Sequence, residues 1–138
     1  MLSHPRVSVY PGGQADLRAG IVDPRLTGLL LSVASEHTIV LSSLRSGHSL
    51  YTAGGNVSNH ADGRAADISA VDGRSCRDVA RGSPCGRLAI QLGALARPEA
   101  PEEVIYCFDP GIGANSFAAA DHCDHIHVGF GAASAGAR

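Results

Sequence analysis

The chain has 138 residues, enough for one compact domain with a real core. It carries 11 basic and 13 acidic residues, every basic one an arginine, for a net charge of −2. No basic stripe is available to neutralise phosphates, which argues against a nucleic-acid partner, and no apolar run is long enough to span a bilayer.

Residues 1–22 show little periodicity and read as an N-terminal extension; MLSHPRVSVYPGGQ lacks the basic-then-apolar order of a secretory signal. In DPRLTGLLLSVASEH, Asp23 suits a helix cap and Pro24 the first turn. Leu26, Leu29, Leu30 and Val33 recur there at helical spacing. TIVLSSL (38–44) is short and β-branched and predicts a strand. RSGHSLYTAGGNVSN (45–59), rich in Gly, Ser and Asn, predicts a loop. RAADISAV (64–71) predicts a second strand, followed by a hairpin turn at Asp72-Gly73.

Ser83-Pro84 starts a second helix with Cys85, Leu88, Leu92 and Leu95 on one face, ended by Pro98 and Pro101. EVIYCF (103–108) predicts a third strand and DPGIGANSFAAADHCD (109–124) a long loop. HIHVGF (125–130) predicts a fourth strand. Its alternation puts His125, His127 and Gly129 on one side, and Ile126, Val128 and Phe130 on the other. GAASAGAR (131–138) reads as a flexible tail. The order helix, strand, strand, helix, strand, strand predicts an α+β domain over 23–130: a small antiparallel sheet with helices on one face.

Cysteines 76, 85, 107 and 123 show no CxxC or zinc-knuckle spacing. They permit two disulfides in three connectivities, or four reduced thiols. Cys76–Cys85 with Cys107–Cys123 is preferred, because each pair closes a short loop. Disulfides would imply an oxidising, extracytoplasmic compartment.

The chemistry-bearing residues fall in two clusters. SNHADGRAADIS (58–69) holds His60 and Asp67 around a turn that Gly63 allows, and DHCDHIHV (121–128) holds three histidines and two aspartates. Imidazole and carboxylate donors suit zinc, and a catalytic zinc needs three of them with a fourth position open. His60 and Asp67 supply two; His125 or His127, sharing one strand face, supply the third. Asp124, just before the strand, can swing over the metal. Asp62 and Asp121 are candidates to hold the outer nitrogens of the ligating histidines but read first as solvated loop acids; His48 and His122 read as peripheral, and His4 and His37 as structural or solvated.

The stretch from Ser58 to Asp67 resembles the S-x-H-x-x-G-x-A-x-D motif of the zinc D-alanyl-D-alanine carboxypeptidase and endopeptidase family. DHIHVGF resembles that family's closing H-x-H strand, and LSSLRSGHS the segment that carries a substrate-contacting arginine. The likeness runs from about Asp23 to Phe130 and extends to related domains of actinobacterial cell-wall proteins. It implies a hedgehog/DD-peptidase fold with one zinc (Zn2+) held by His60, Asp67 and His127. Asp124 stands at the general-base position, where the family usually carries Glu. His125 matches a second-shell or transition-state-stabilising histidine, Arg45 the arginine for substrate or oxyanion, and Ser58 a support for the His60 loop. The implied function is hydrolysis of a peptidoglycan stem or crosslink peptide. Alternatives are a zinc-containing wall-binding module without turnover, and a lysin or toxin domain carried by a larger assembly.

Overall fold

Short β-branched and small-residue segments build a single sheet. A computed structural model describes residues 1–52, 54–96, 100–111 and 116–131. In chain order these form β1 (Val7–Val9), α1 (Pro11–Arg18), α2 (Pro24–Ala34), β2 (Ile39–Ser43) and a 3-10 turn (Asn59–Asp62). There follow β3 (Ala65–Val71), β4 (Arg74–Ser75), α3 (Pro84–Gly93), β5 (Glu103–Tyr106), β6 (Ser116–Ala118) and β7 (Ile126–Gly129). The strands lie in the order β1-β2-β3-β7-β5-β6, with β4 beside β3.

The fold is α+β, but the sheet is mixed rather than antiparallel. β1 runs parallel to β2, and β6 parallel to β5. Both strands lie in segments whose sequence reads as extension or loop. Each is three residues long, too short for a period of two to register. β1 thus draws part of the 1–22 stretch into the sheet, and Val7 and Val22 into the core. α1 has no apolar stripe; its one sequence signal is Pro11 in the first turn. Pro98 and the tail beyond Gly131 lie outside the described residues.

α2 and α3 start where their caps dictate. The Asp23 carboxylate accepts from Arg25 N at 2.8 Å and Ser83 Oγ from Gly86 N at 3.0 Å. Each satisfies an orphan N–H, worth about 1 kcal/mol. Leu26, Leu30 and Val33 of α2 and Leu88 and Leu92 of α3 pack with Ile68, Tyr106, Ile126 and Val128 in one core. The β3–β4 turn places Asp72 (φ 52°) and Gly73 (φ 77°) in the left-handed region, as a two-residue hairpin requires.

Disulfides join Cys76 to Cys85 and Cys107 to Cys123, nine and sixteen residues apart. In the chain-entropy account each contributes about 3 kcal/mol. The first ties the β4 turn to α3. The second ties the end of β5 to the segment that enters β7, and so holds the Asp121–Asp124 stretch beside the sheet. Two disulfides point to an oxidising compartment. No helix among the described residues is long and apolar enough to cross a membrane.

Because strand side chains alternate, the residues between the core positions face the opposite side of the sheet. There Asp67 of β3 pairs with His127 of β7, His127 with Ile105 of β5, and Ile105 with Phe117 of β6. This row underlies an open cleft lined by His60, Asp67 and His127.

Candidate metal centre

His60 reaches the cleft because the 3-10 turn is held at both ends. Ser58 Oγ accepts from His60 N at 3.2 Å and so caps its start. Gly63 ends it at φ 70°, and Asp23 N donates to the Gly63 carbonyl at 2.8 Å. A Cβ at position 63 would lie 2.0 Å from the Ile21 carbonyl oxygen, so no other residue fits. The N-terminal segment supports the far side. Tyr10 OH accepts from Leu44 N and donates to the Ser46 carbonyl. The buried Asp16 carboxylate accepts from Arg45 N, Ser46 N and Ser46 Oγ at 3.1, 2.7 and 2.5 Å. These contacts fix Leu44, whose carbonyl accepts from His60 Nδ1 at 2.6 Å.

His60, Asp67 and His127 are all buried and converge. His60 Nε2 lies 3.1 Å from Asp67 Oδ1 and 3.2 Å from His127 Nδ1; His127 Nδ1 lies 3.4 Å from Asp67 Oδ1. Tetrahedral ligands bonded at 2.0–2.1 Å are separated by about 3.3–3.4 Å. The triangle therefore has the dimensions of one face of a tetrahedral zinc site. The outer nitrogens are arranged to match. With His60 Nδ1 donating to Leu44, its Nε2 lone pair faces the triangle. His127 Nε2 donates to Glu103 Oε1 at 2.9 Å, which leaves Nδ1 facing it. Glu103 is held in turn by Asn59 Nδ2 at 2.7 Å. Outer partners of this kind set the tautomer and orientation of ligating imidazoles.

Charge completes the fit. Burial pushes the Asp67 carboxyl up, but its contacts with the His127 and His60 imidazoles outweigh it and hold the group far below the usual carboxylate range. Burial pushes His127 down, but its bonds to Asp67 and Glu103 outweigh that and raise it to about 9. Without a cation, the proton on His127 is what keeps these crowded groups together. A divalent ion would take that proton's place.

A second donor group overlaps the first. His48, His60 and Asp67 have ligand atoms within 4.8 Å of one another and could also hold an ion. His48, however, stacks on His60 at 3.7 Å between centroids and 13° between planes. Lone pairs of two nearly parallel rings do not meet at a nearby point, so His48 must turn before it can share a ligand position with His60. His127 needs no such movement. His48 Nε2 instead lies 3.9 Å from the other carboxylate oxygen, Asp67 Oδ2, and His125 Nε2 lies 3.7 Å from that same atom.

The remaining sequence candidates separate. His125 lines the cleft and donates from Nδ1 to Asp124 Oδ1 at 2.6 Å. Asp124, read from sequence as the base over the metal, thus stands one step further out, exposed and turned toward His125. Arg45 is exposed, and its Nε donates to the Ala61 carbonyl at 3.0 Å. It does not line the cleft. His48 and His122, read as peripheral, do line it; His122 meets His125 and His127 with ring centroids 4.7 and 5.9 Å apart. Asp62 pairs with Arg64, and Asp121 with His122. His37 pairs with Asp72. Glu103 is the site residue that sequence reasoning misses. Its one signal is the start of a strand that must neighbour the H-x-H strand.

Comparison with known protein families, curated proteins and solved structures finds no match to this chain.

Proposed function

We propose that this chain is a zinc peptidase acting on the peptide component of peptidoglycan. The observation that supports it most is the buried triangle of His60 Nε2, Asp67 Oδ1 and His127 Nδ1, with edges of 3.1–3.4 Å, at the floor of an open cleft of about 590 Å3. Two imidazoles and one carboxylate form a donor set that zinc prefers. When bound, the ion supplies Lewis acidity, polarising a carbonyl and making water more acidic.

The chain's own groups do the rest. His125 Nε2 faces the site and takes or delivers a proton there, while Asp124 holds Nδ1–H and keeps the ring oriented. His48 donates from Nδ1 to the Ser49 carbonyl, which leaves its Nε2 lone pair, bordering the same Asp67 oxygen, to accept from a substrate N–H or from water. Glu103 and Leu44 fix the two ligating rings. The hedgehog/DD-peptidase fold and the peptidoglycan substrate rest on the likeness of residues 58–67 and 124–130 to that family. The two disulfides suit a secreted or cell-wall setting, alone or within a larger assembly.

A second reading, a zinc-containing wall-binding module without turnover, draws on one feature: Asp124, at the position of the expected base, faces His125 and does not line the cleft. Zinc-loaded protein incubated with purified peptidoglycan separates the two. New amino termini support the peptidase. Tight sedimentation with the wall and no new termini supports the module.

A further inference from the structure

The geometry points to an enzyme for internal peptide bonds rather than for chain ends; this rests on the peptidase reading above. A peptidase that removes a C-terminal residue must hold a free carboxylate beside the scissile bond. A carboxylate taken out of water without a cation is strongly disfavoured. The chain has no lysine, and no arginine among the described residues lines the cleft. The two arginines bonded to the wall are engaged elsewhere. Arg45 Nε donates to the Ala61 carbonyl, and Arg64 Nη2 bonds Asn59 Oδ1 and Asp62 Oδ2, each at 3.2 Å. The carboxylates that line the cleft, Glu103 and Asp121, are bonded to His127 and His122 and offer a terminal carboxylate no donor.

The cleft also continues past the metal centre. On one side the row Asp67–His127 runs on into Ile105 and Phe117. β6 lies two strands beyond β7, and strands are about 4.8 Å apart, so this floor extends about 10 Å. That length accommodates about three residues of extended chain at about 3.3 Å each. A second apolar patch comes from the loop that follows β2, which brings Tyr51 and Val57 to the same cleft, joined by an antiparallel bridge. Tyr51, Val57 and Phe117 are 61%, 62% and 47% exposed, so two patches of apolar surface stand open along the cleft. A substrate that extends beyond the residues at the cut can cover both patches; a single residue at a chain end cannot span the ~10 Å floor.

The test uses the zinc-loaded chain with three probes. These are a stem pentapeptide ending in D-Ala-D-Ala as the free acid, its C-terminal amide, and a crosslinked stem dimer, with products located by mass spectrometry. Expected are cuts that leave residues on both sides, with amide and dimer cut at least as fast as the free acid. Release of terminal D-Ala from the free acid at tenfold or more the rate of the amide overturns the inference and leaves the peptidase reading standing. Cleavage of none of the three overturns the peptidase reading, and the inference with it. A readout independent of turnover is NMR titration of metal-free protein with the amide. Expected are shifts at both Tyr51–Val57 and Phe117; shifts at one patch alone, with Arg45, count against it. Phe117 is exposed enough to replace, and Phe117→Ala is expected to raise KM about fivefold with kcat held; unchanged KM overturns its role.

Discussion

Replacing Glu103 tests whether a group that touches no metal nonetheless tunes the centre. Its Oε1 lies 2.9 Å from His127 Nε2 and 2.7 Å from Asn59 Nδ2, in a half-buried position. Glu103→Gln keeps the shape and an acceptor but removes the charge. Charge-assisted bonds are roughly twice as strong as neutral ones, so about 1.4 kcal/mol of ligand orientation is lost, a tenfold rise in zinc Kd. Glu103→Ala removes the acceptor as well. Loss of such outer partners costs 10–100-fold in metal affinity, up to about 2.7 kcal/mol. The assay is competition against a chromogenic chelator at fixed pH, with thermal unfolding of the metal-free variants as the control for folding. The His127 pKa, followed by imidazole NMR in metal-free protein, should drop below about 9, because one of the two bonds that raise it is weakened. A zinc Kd within twofold of wild type in both variants would refute the role given to Glu103.

The metal-free protein should lose stability as pH rises through the range where His127 gives up its proton. His127 is raised in the folded state from about 6.5 to about 9, so its contribution is complete below about pH 6.5 and gone above 9. The full span is about 3 kcal/mol, read as falling Tm. Asp67 is lowered, so its contribution is present above about pH 4 and lost below it, which leaves maximum stability between about pH 4 and 6.5. Zinc affinity should rise roughly tenfold per pH unit between pH 7 and 9, because uptake displaces that proton; a flat profile by competition titration contradicts this. Gly63→Ala should cost at least about 2 kcal/mol in urea unfolding, from the left-handed φ plus contact with the Ile21 carbonyl. Gly55→Ala, at φ 85° with open space around it, should cost only about 1–2 kcal/mol. Asp124→Asn should lower kcat on a peptide substrate by about 10²-fold or more and leave zinc content unchanged, since it acts through His125. Equal loss of metal and activity would make it a structural residue.

Much of the frame is legible in the sequence because it follows from local rules. Asp23-Pro24 and Ser83-Pro84 start helices, Asp72-Gly73 turns a hairpin, and the alternation of HIHVGF sends Ile126, Val128 and Phe130 to the core and His127 to the cleft. The strands β1 and β6 are not legible, since three residues carry no period and their pairing is decided by neighbours distant in sequence. The centre divides along the same line. His60, Asp67 and His127 stand out by spacing and likeness. The placement of His48, His122 and Glu103 depends on a loop conformation and a strand order that no local pattern encodes. The direction of Asp124 depends on a side-chain rotamer, and its nearest partner proves to be the adjacent His125.

The central claim is that His60, Asp67 and His127, rather than the overlapping group that includes His48, hold one divalent ion. Zinc content after dialysis, measured by elemental analysis on wild type, His127→Ala and His48→Ala, tests it most directly. The expected result is one equivalent in wild type, one in His48→Ala and less than about a tenth in His127→Ala, in line with an affinity loss of several tens-fold or more when a ligand is removed. Full occupancy in His127→Ala with loss in His48→Ala would contradict it.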